Sequence, residues 1–142
     1  MMYLTGKYAL NLKCNLNTMG DWHWGCYDWN NIETKLVDSD NSIFKGYGIE
    51  KQTNVFDNIG KEIFVANHIR ACLDMLEKGN TISPQGMNKD YIDNSKYDTE
   101  VFNKVYMLKN NPNWNKIKNF MLDEYGVKWI KFLDKFNYIQ EK

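Results

Sequence analysis

Only two histidines occur in the 142 residues, and one of them, His23, lies in the most chemically loaded stretch: Gly20-Asp21-Trp22-His23-Trp24-Gly25-Cys26-Tyr27-Asp28-Trp29. In an extended chain, Asp21, His23, Gly25, Tyr27 and Trp29 project to one side, and Trp22, Trp24, Cys26 and Asp28 to the other. Histidine exchanges protons near neutral pH, and an aspartate on the same face orients its ring. Asp21 and His23 therefore form the acid/base half of a small hydrolase or nuclease site. No serine or cysteine sits in a nucleophile-elbow context to complete it. The same stretch reads equally as a recognition surface, because tryptophan dominates binding hot spots. Trp22, Trp24 and Trp29, with Asp28, are its candidate contacts.

Arg70 is the single arginine, so multi-arginine phosphate clamps are excluded. On a helical wheel Asn67, Arg70 and Asp74 share a polar side with His68 on its flank. Arg70 and Asp74 have the spacing of a helical ion pair. The alternative is that Asn67, Arg70 and Asp74 meet a partner's acidic group, or that Arg70 and His68 stabilise negative charge developing beside His23. His23-x-x-Cys26 and His68-x-x-x-Cys72, with Cys14 as a substitute, have local metal-ligand spacing. A regular strand sets His23 and Cys26 on opposite faces, and Cys72 belongs to an apolar stripe, so no metal or other cofactor is expected. Asp38-Ser39-Asp40-Asn41 is a turn, since the glycine and terminal glutamate of a calcium loop would fall on Ile43 and Ile49.

Lys116, Lys118, Lys128 and Lys131 are interspersed with Trp114, Tyr125 and Trp129, a mixture that binds nucleic-acid backbones by charge and bases by stacking. Helical spacing instead gathers Trp114, Ile117, Met121 and Tyr125 into one core stripe. No glycine-rich phosphate loop or zinc-finger spacing supports a nucleic-acid role.

These residues need elements to hold them. Period-two alternation at Tyr8 to Cys14, Trp22 to Cys26 and Ile32 to Leu36 predicts half-buried strands, separated by turns at 17–20, 38–41 and around Gly46 and Gly48. After Gly60, Val65, Ala66, Ile69, Cys72, Leu73 and Leu76 fall on one side of a helix, capped by Asp57 or Asn58 and stopped by Gly79. Ser83 to Gly86 predicts a turn, and Asn88 to Ile92 a short helical piece. Helices follow at Glu100 to Lys109, Pro112 to Tyr125 and Val127 to Tyr138, with Gly126 as the break. The expected fold is α+β: an N-terminal antiparallel sheet with about four C-terminal helices packed on it, in one globular domain over 1–142, strand-rich over 1–50 and helical over 60–142.

A 43% hydrophobic content supports a core, and Lys+Arg balances Asp+Glu at 18 each, which gives no long-range pull toward polyanions. The balance is local rather than uniform. Residues 14–44 carry five acids against one lysine, and residues 101–142 carry eight lysines against four acids. No apolar run is long enough to cross a membrane, nor does the start read as a secretory signal. Three cysteines are too few for a disulfide framework and point to the cytoplasm. The reading that follows is a cytoplasmic protein-binding module, of inhibitor, adaptor or antitoxin type, using the aromatic and acidic front on a protein partner or a second copy of itself. The hydrolase and nucleic-acid readings stand as alternatives.

Overall fold

The computed structural model describes residues 1–18, 20, 27–55, 58–92 and 95–140. The α+β expectation holds: two small antiparallel sheets are packed with C-terminal helices around one apolar core.

Strand β1, Met2–Tyr3, pairs antiparallel with β2, Val37–Asp38. Strand β3, Ile49–Val55, pairs antiparallel with β4, Asn58–Ala66, in the register Ile49 to Ala66 through Thr53 to Glu62, with an irregularity before Val55 and Asn58. Leu4 ties the two sheets together. Its amide donates to the Phe64 carbonyl at 2.9 Å, and its carbonyl accepts from Ala66 at 2.8 Å. Leu4 and Val65 are both sealed in the core.

The strands are not where the alternation placed them. Residues 8–14 begin inside a short helix, α1, Gly6–Leu10, whose Ala9 and Leu10 are buried. Residues 32–35 form a 3-10 turn with only Ile32 buried. Alternation over so few residues also fits one turn of helix with an apolar face, and packing decided between them. The expected strand at Trp22 to Cys26 lies outside the described residues.

Helix α2, His68–Glu77, starts later than its apolar stripe. The Asn67 side chain caps it, accepting from the Arg70 amide at 2.8 Å. Val65 and Ala66 end β4 rather than opening α2, and Asn58, one of the two expected caps, begins that strand instead; the other, Asp57, lies outside the described residues. The stop is as expected: Gly79 has φ of +80°, the left-handed conformation that closes helices. Residues Met87–Tyr91 make one wide helical turn. Helices α3, Asp98–Tyr106, α4, Trp114–Tyr125, and α5, Val127–Gln140, complete the fold. The chain reverses between the last two at Gly126, φ +63°. Ile117, Met121 and Tyr125 face inward on α4 as the stripe predicts, with Trp114 half-buried beside them.

Candidate functional site

Arg70 is wholly enclosed, and every nitrogen of its guanidinium is used. Nε donates to Asp74 Oδ1 at 2.7 Å, Nη1 to the carbonyls of Lys45 and Tyr47 at 2.6 Å each, and Nη2 to the Tyr3 hydroxyl at 2.9 Å. The guanidinium lies over the rings of Tyr3 and Phe44. Asp74 Oδ2 accepts from the hydroxyls of Tyr3 at 2.5 Å and Thr5 at 2.7 Å. Burial, together with the Asp74 contact, pushes the Tyr3 phenol well above its ordinary range.

This corrects the placement of the helix's polar side. The helical ion pair of Arg70 and Asp74 forms as the spacing predicts, but the polar side it shares with Asn67 is buried, because β1 and the 44–48 loop cover that face. Arg70 fastens β1, the loop and α2 to one another. Four of the five guanidinium N–H donors are engaged by the protein and the side chain is sealed from solvent, so Arg70 in this structure presents no surface to a substrate or partner. Gly48 makes the close approach of loop and helix feasible. It has φ of +70°, and a Cβ there would stand 2.7 Å from Arg70 Cβ and 3.0 Å from Asn67 Oδ1.

His68 is also enclosed, but its partners are of another kind. Nε2 lies 2.6 Å from the Leu12 carbonyl, which only accepts, so Nε2 carries a hydrogen. Nδ1 lies 2.5 Å from Thr18 Oγ1 and 3.2 Å from the Tyr91 carbonyl. The Thr18 hydroxyl in turn lies 3.7 Å from Cys14 Sγ and so bridges the thiol to the imidazole. Burial opposes ionisation of Cys14, but the hydrogen bond and charge of His68 outweigh it and hold the thiol below its ordinary value. For His68, burial opposes the charged ring. The Cys14 contact and the carbonyls of Leu12 and Tyr91 reverse that and raise it. Sequence spacing could not find this cluster, because Cys14 and Thr18 are fifty or more residues from His68.

A third arrangement lies between α3 and α5. An open groove of about 700 Å³ has Phe102, Phe132 and Phe136 among its lining, with Lys128, Lys131 and Lys135 along one ridge of α5. The three lysines recur at positions i, i+3 and i+7, which share one helix face. Lys128 pairs with Asp98 across the groove at 3.2 Å. Among the described residues, Lys131 and Lys135 have no acidic partner within salt-bridge distance. The floor is held by ring contacts: Phe102 to Phe132 at 5.5 Å, Phe132 to Phe136 at 5.1 Å, and Tyr106 stacked on Phe136 at 4.1 Å. Phe102, Phe132 and Phe136 were missed because aromatic residues at helical spacing read as core from sequence alone, and Lys135 was visible only as one of the lysines of 101–142.

The four lysines proposed for nucleic acid are not gathered into one patch. Lys128 and Lys131 line the groove. Lys116 donates to the Gly79 carbonyl at 2.8 Å and borders a different depression containing Asp123 and Glu124. Lys118 sits over the Trp114 ring. Of the aromatic and acidic front, Asp28 is exposed, but Trp29 is buried and packs edge-on against Tyr8 with ring centres 5.1 Å apart. Asp21, Trp22, His23 and Trp24 lie outside the described residues. Among the described residues no three potential metal ligands cluster, and no helix is long and apolar enough to cross a membrane. No family model, curated protein or solved structure matches the chain.

Proposed function

We propose that this chain is a small cytoplasmic protein-binding module whose groove between α3 and α5 receives an acidic, amphipathic segment of a partner protein. The observation that carries the reading is the phenylalanine floor beside a ridge of three lysines. An amphipathic helix lays its apolar face into such a groove, and acidic residues flanking that face meet Lys128, Lys131 and Lys135, which steer the encounter and fix its orientation. The volume lies within the range of specific recognition sites, roughly 300–1,000 Å³. The cytoplasmic placement rests on cysteine usage; Cys14 and Cys72 are both free thiols.

Fluorescence anisotropy tests this with a labelled amphipathic peptide carrying Leu and Phe at helical spacing and Glu between them. Its lysine-for-glutamate counterpart and a single-stranded oligonucleotide are run beside it. Saturable binding of the acidic peptide alone is expected, weakened by salt and lost when Lys131→Glu and Lys135→Glu are combined. Those two side chains are exposed, so the variant keeps its fold. Preferential binding of the oligonucleotide would move the groove to the nucleic-acid reading. Self-association in sedimentation that competes with the peptide would make a second copy of the chain the occupant. Equal binding by the double variant would remove the groove from the function.

A further inference from the structure

We propose that Cys14 is a modification site, a thiolate that reduces small hydroperoxides and is itself converted to a sulfenic acid. The cluster is built for losing the thiol proton. Because Nε2 of His68 is committed to the Leu12 carbonyl as a donor, Nδ1 is the ring's acceptor, and it faces the Thr18 hydroxyl, which in turn faces the Cys14 thiol. The proton leaves Sγ for Nδ1 through the Thr18 hydroxyl, and the resulting imidazolium donates toward the Tyr91 carbonyl. Two backbone carbonyls thus favour a charged ring, and the charged ring favours the thiolate, the species that reacts.

Size selects the substrate class. Cys14 keeps 9% of its surface and His68 none, so a peptide or ester could not reach both groups, whereas a hydroperoxide needs to reach only sulfur. The thiolate attacks the hydroxyl oxygen of the peroxide. The S–O bond forms, the O–O bond breaks, and two electrons pass from sulfur to the departing oxygen. That oxygen takes a proton from the Thr18 hydroxyl beside the sulfur, which His68 replaces, giving water from hydrogen peroxide or an alcohol from an alkyl hydroperoxide. Cys14 is left as the sulfenic acid and His68 as the neutral ring. Cys72 is an internal control: it is fully enclosed, and burial pushes its thiol far above the ordinary range.

The test treats the intact protein with hydrogen peroxide at neutral pH, traps sulfenic acid with dimedone and maps each cysteine by mass spectrometry. Cys14 is expected to react severalfold faster in the folded chain than in the urea-unfolded chain, because the fold favours its thiolate, while Cys72 reacts only after unfolding. Thr18→Val and His68→Gln should each slow folded Cys14 severalfold. Circular dichroism identifies which variants fold, and Thr18→Val decides the matter if the enclosed His68 does not tolerate substitution. Slower oxidation of Cys14 in the folded than in the unfolded chain would show an ordinary buried cysteine and overturn the proposal. A rate unmoved in every folded variant would do the same.

Discussion

Replacing Asp74 tests the account of Arg70. The carboxylate accepts from Arg70 Nε and from the hydroxyls of Tyr3 and Thr5, and it balances a guanidinium that has no access to water. Asp74→Ala leaves that charge buried with two carbonyls and one hydroxyl as its remaining acceptors. Breaking a buried pair from one side costs about 3–5 kcal/mol, a large part of the roughly 5–15 kcal/mol that holds a domain folded. At a urea slope near 2 kcal/mol per molar, the unfolding midpoint falls by roughly 2 M. Asp74→Asn keeps one carbonyl for Nε but presents an amide to the two hydroxyls, so its loss is smaller, about 2 kcal/mol. Arg70→Met combined with Asp74→Leu removes both charges at similar bulk and should lose less than the two single changes together. Urea titrations followed by circular dichroism measure the parent, these three variants and the single changes Arg70→Met and Asp74→Leu. A midpoint for Asp74→Ala within about 0.5 M of the parent, or strict additivity in the double variant, would mean that Arg70 is solvated and that the enclosed network is wrong.

Three further expectations follow. Gly48→Ala forces a left-handed residue and a Cβ against Arg70 and Asn67, which should cost about 2 kcal/mol or more; a midpoint equal to the parent's would show that the loop can withdraw from α2. Burial is the leading cause that raises the phenols of Tyr3, Tyr47 and Tyr125 far above the ordinary value of 10. A raised folded value means that stability is intact below about pH 10 and falls above it, as the unfolded chain begins to ionise there. Absorbance at alkaline pH should show three of the nine tyrosines ionising only together with unfolding, and a single smooth titration of all nine near the ordinary value would contradict their burial. The Tyr125 hydroxyl is buried and finds no hydrogen-bond partner among the described residues, so Tyr125→Phe should leave stability unchanged or raise it by up to about 1 kcal/mol. A loss greater than that in thermal or urea unfolding would reveal a partner for the hydroxyl.

The C-terminal helices were readable because their signals are long and local. Ile117, Met121 and Tyr125 repeat at helical spacing, and Gly126 breaks the chain where α4 and α5 meet. The front was less legible, since its segments are short and α1 mimics alternation for a few residues. The stripe from Val65 to Leu76 ran a strand end into a helix, because apolar residues of β4 and α2 share one core. The polar face of α2 misled for a more general reason. A wheel shows which residues lie together but not what covers them, and here Tyr3, some seventy residues away, covers Arg70 and Asp74. The same limit hid the Cys14, Thr18 and His68 cluster. The groove could not be read because its phenylalanines look like core in sequence and are core on all but one side.

The bond between the Tyr3 hydroxyl and Asp74 spans 71 positions of the chain, and this has a consequence for biosynthesis. At about 5–20 residues per second, residues 2–4 leave the ribosome several seconds before α2 and β4 exist to receive them. During that interval Tyr3 and Leu4, later wholly enclosed, are exposed on a strand with no partner. Closing so long a loop is also slow compared with forming a helix. The segment that finally locks the core is thus made well before its partners and is among the last to dock, and the nascent chain is open to chaperones or to mispairing for as long as synthesis takes to reach Asp74.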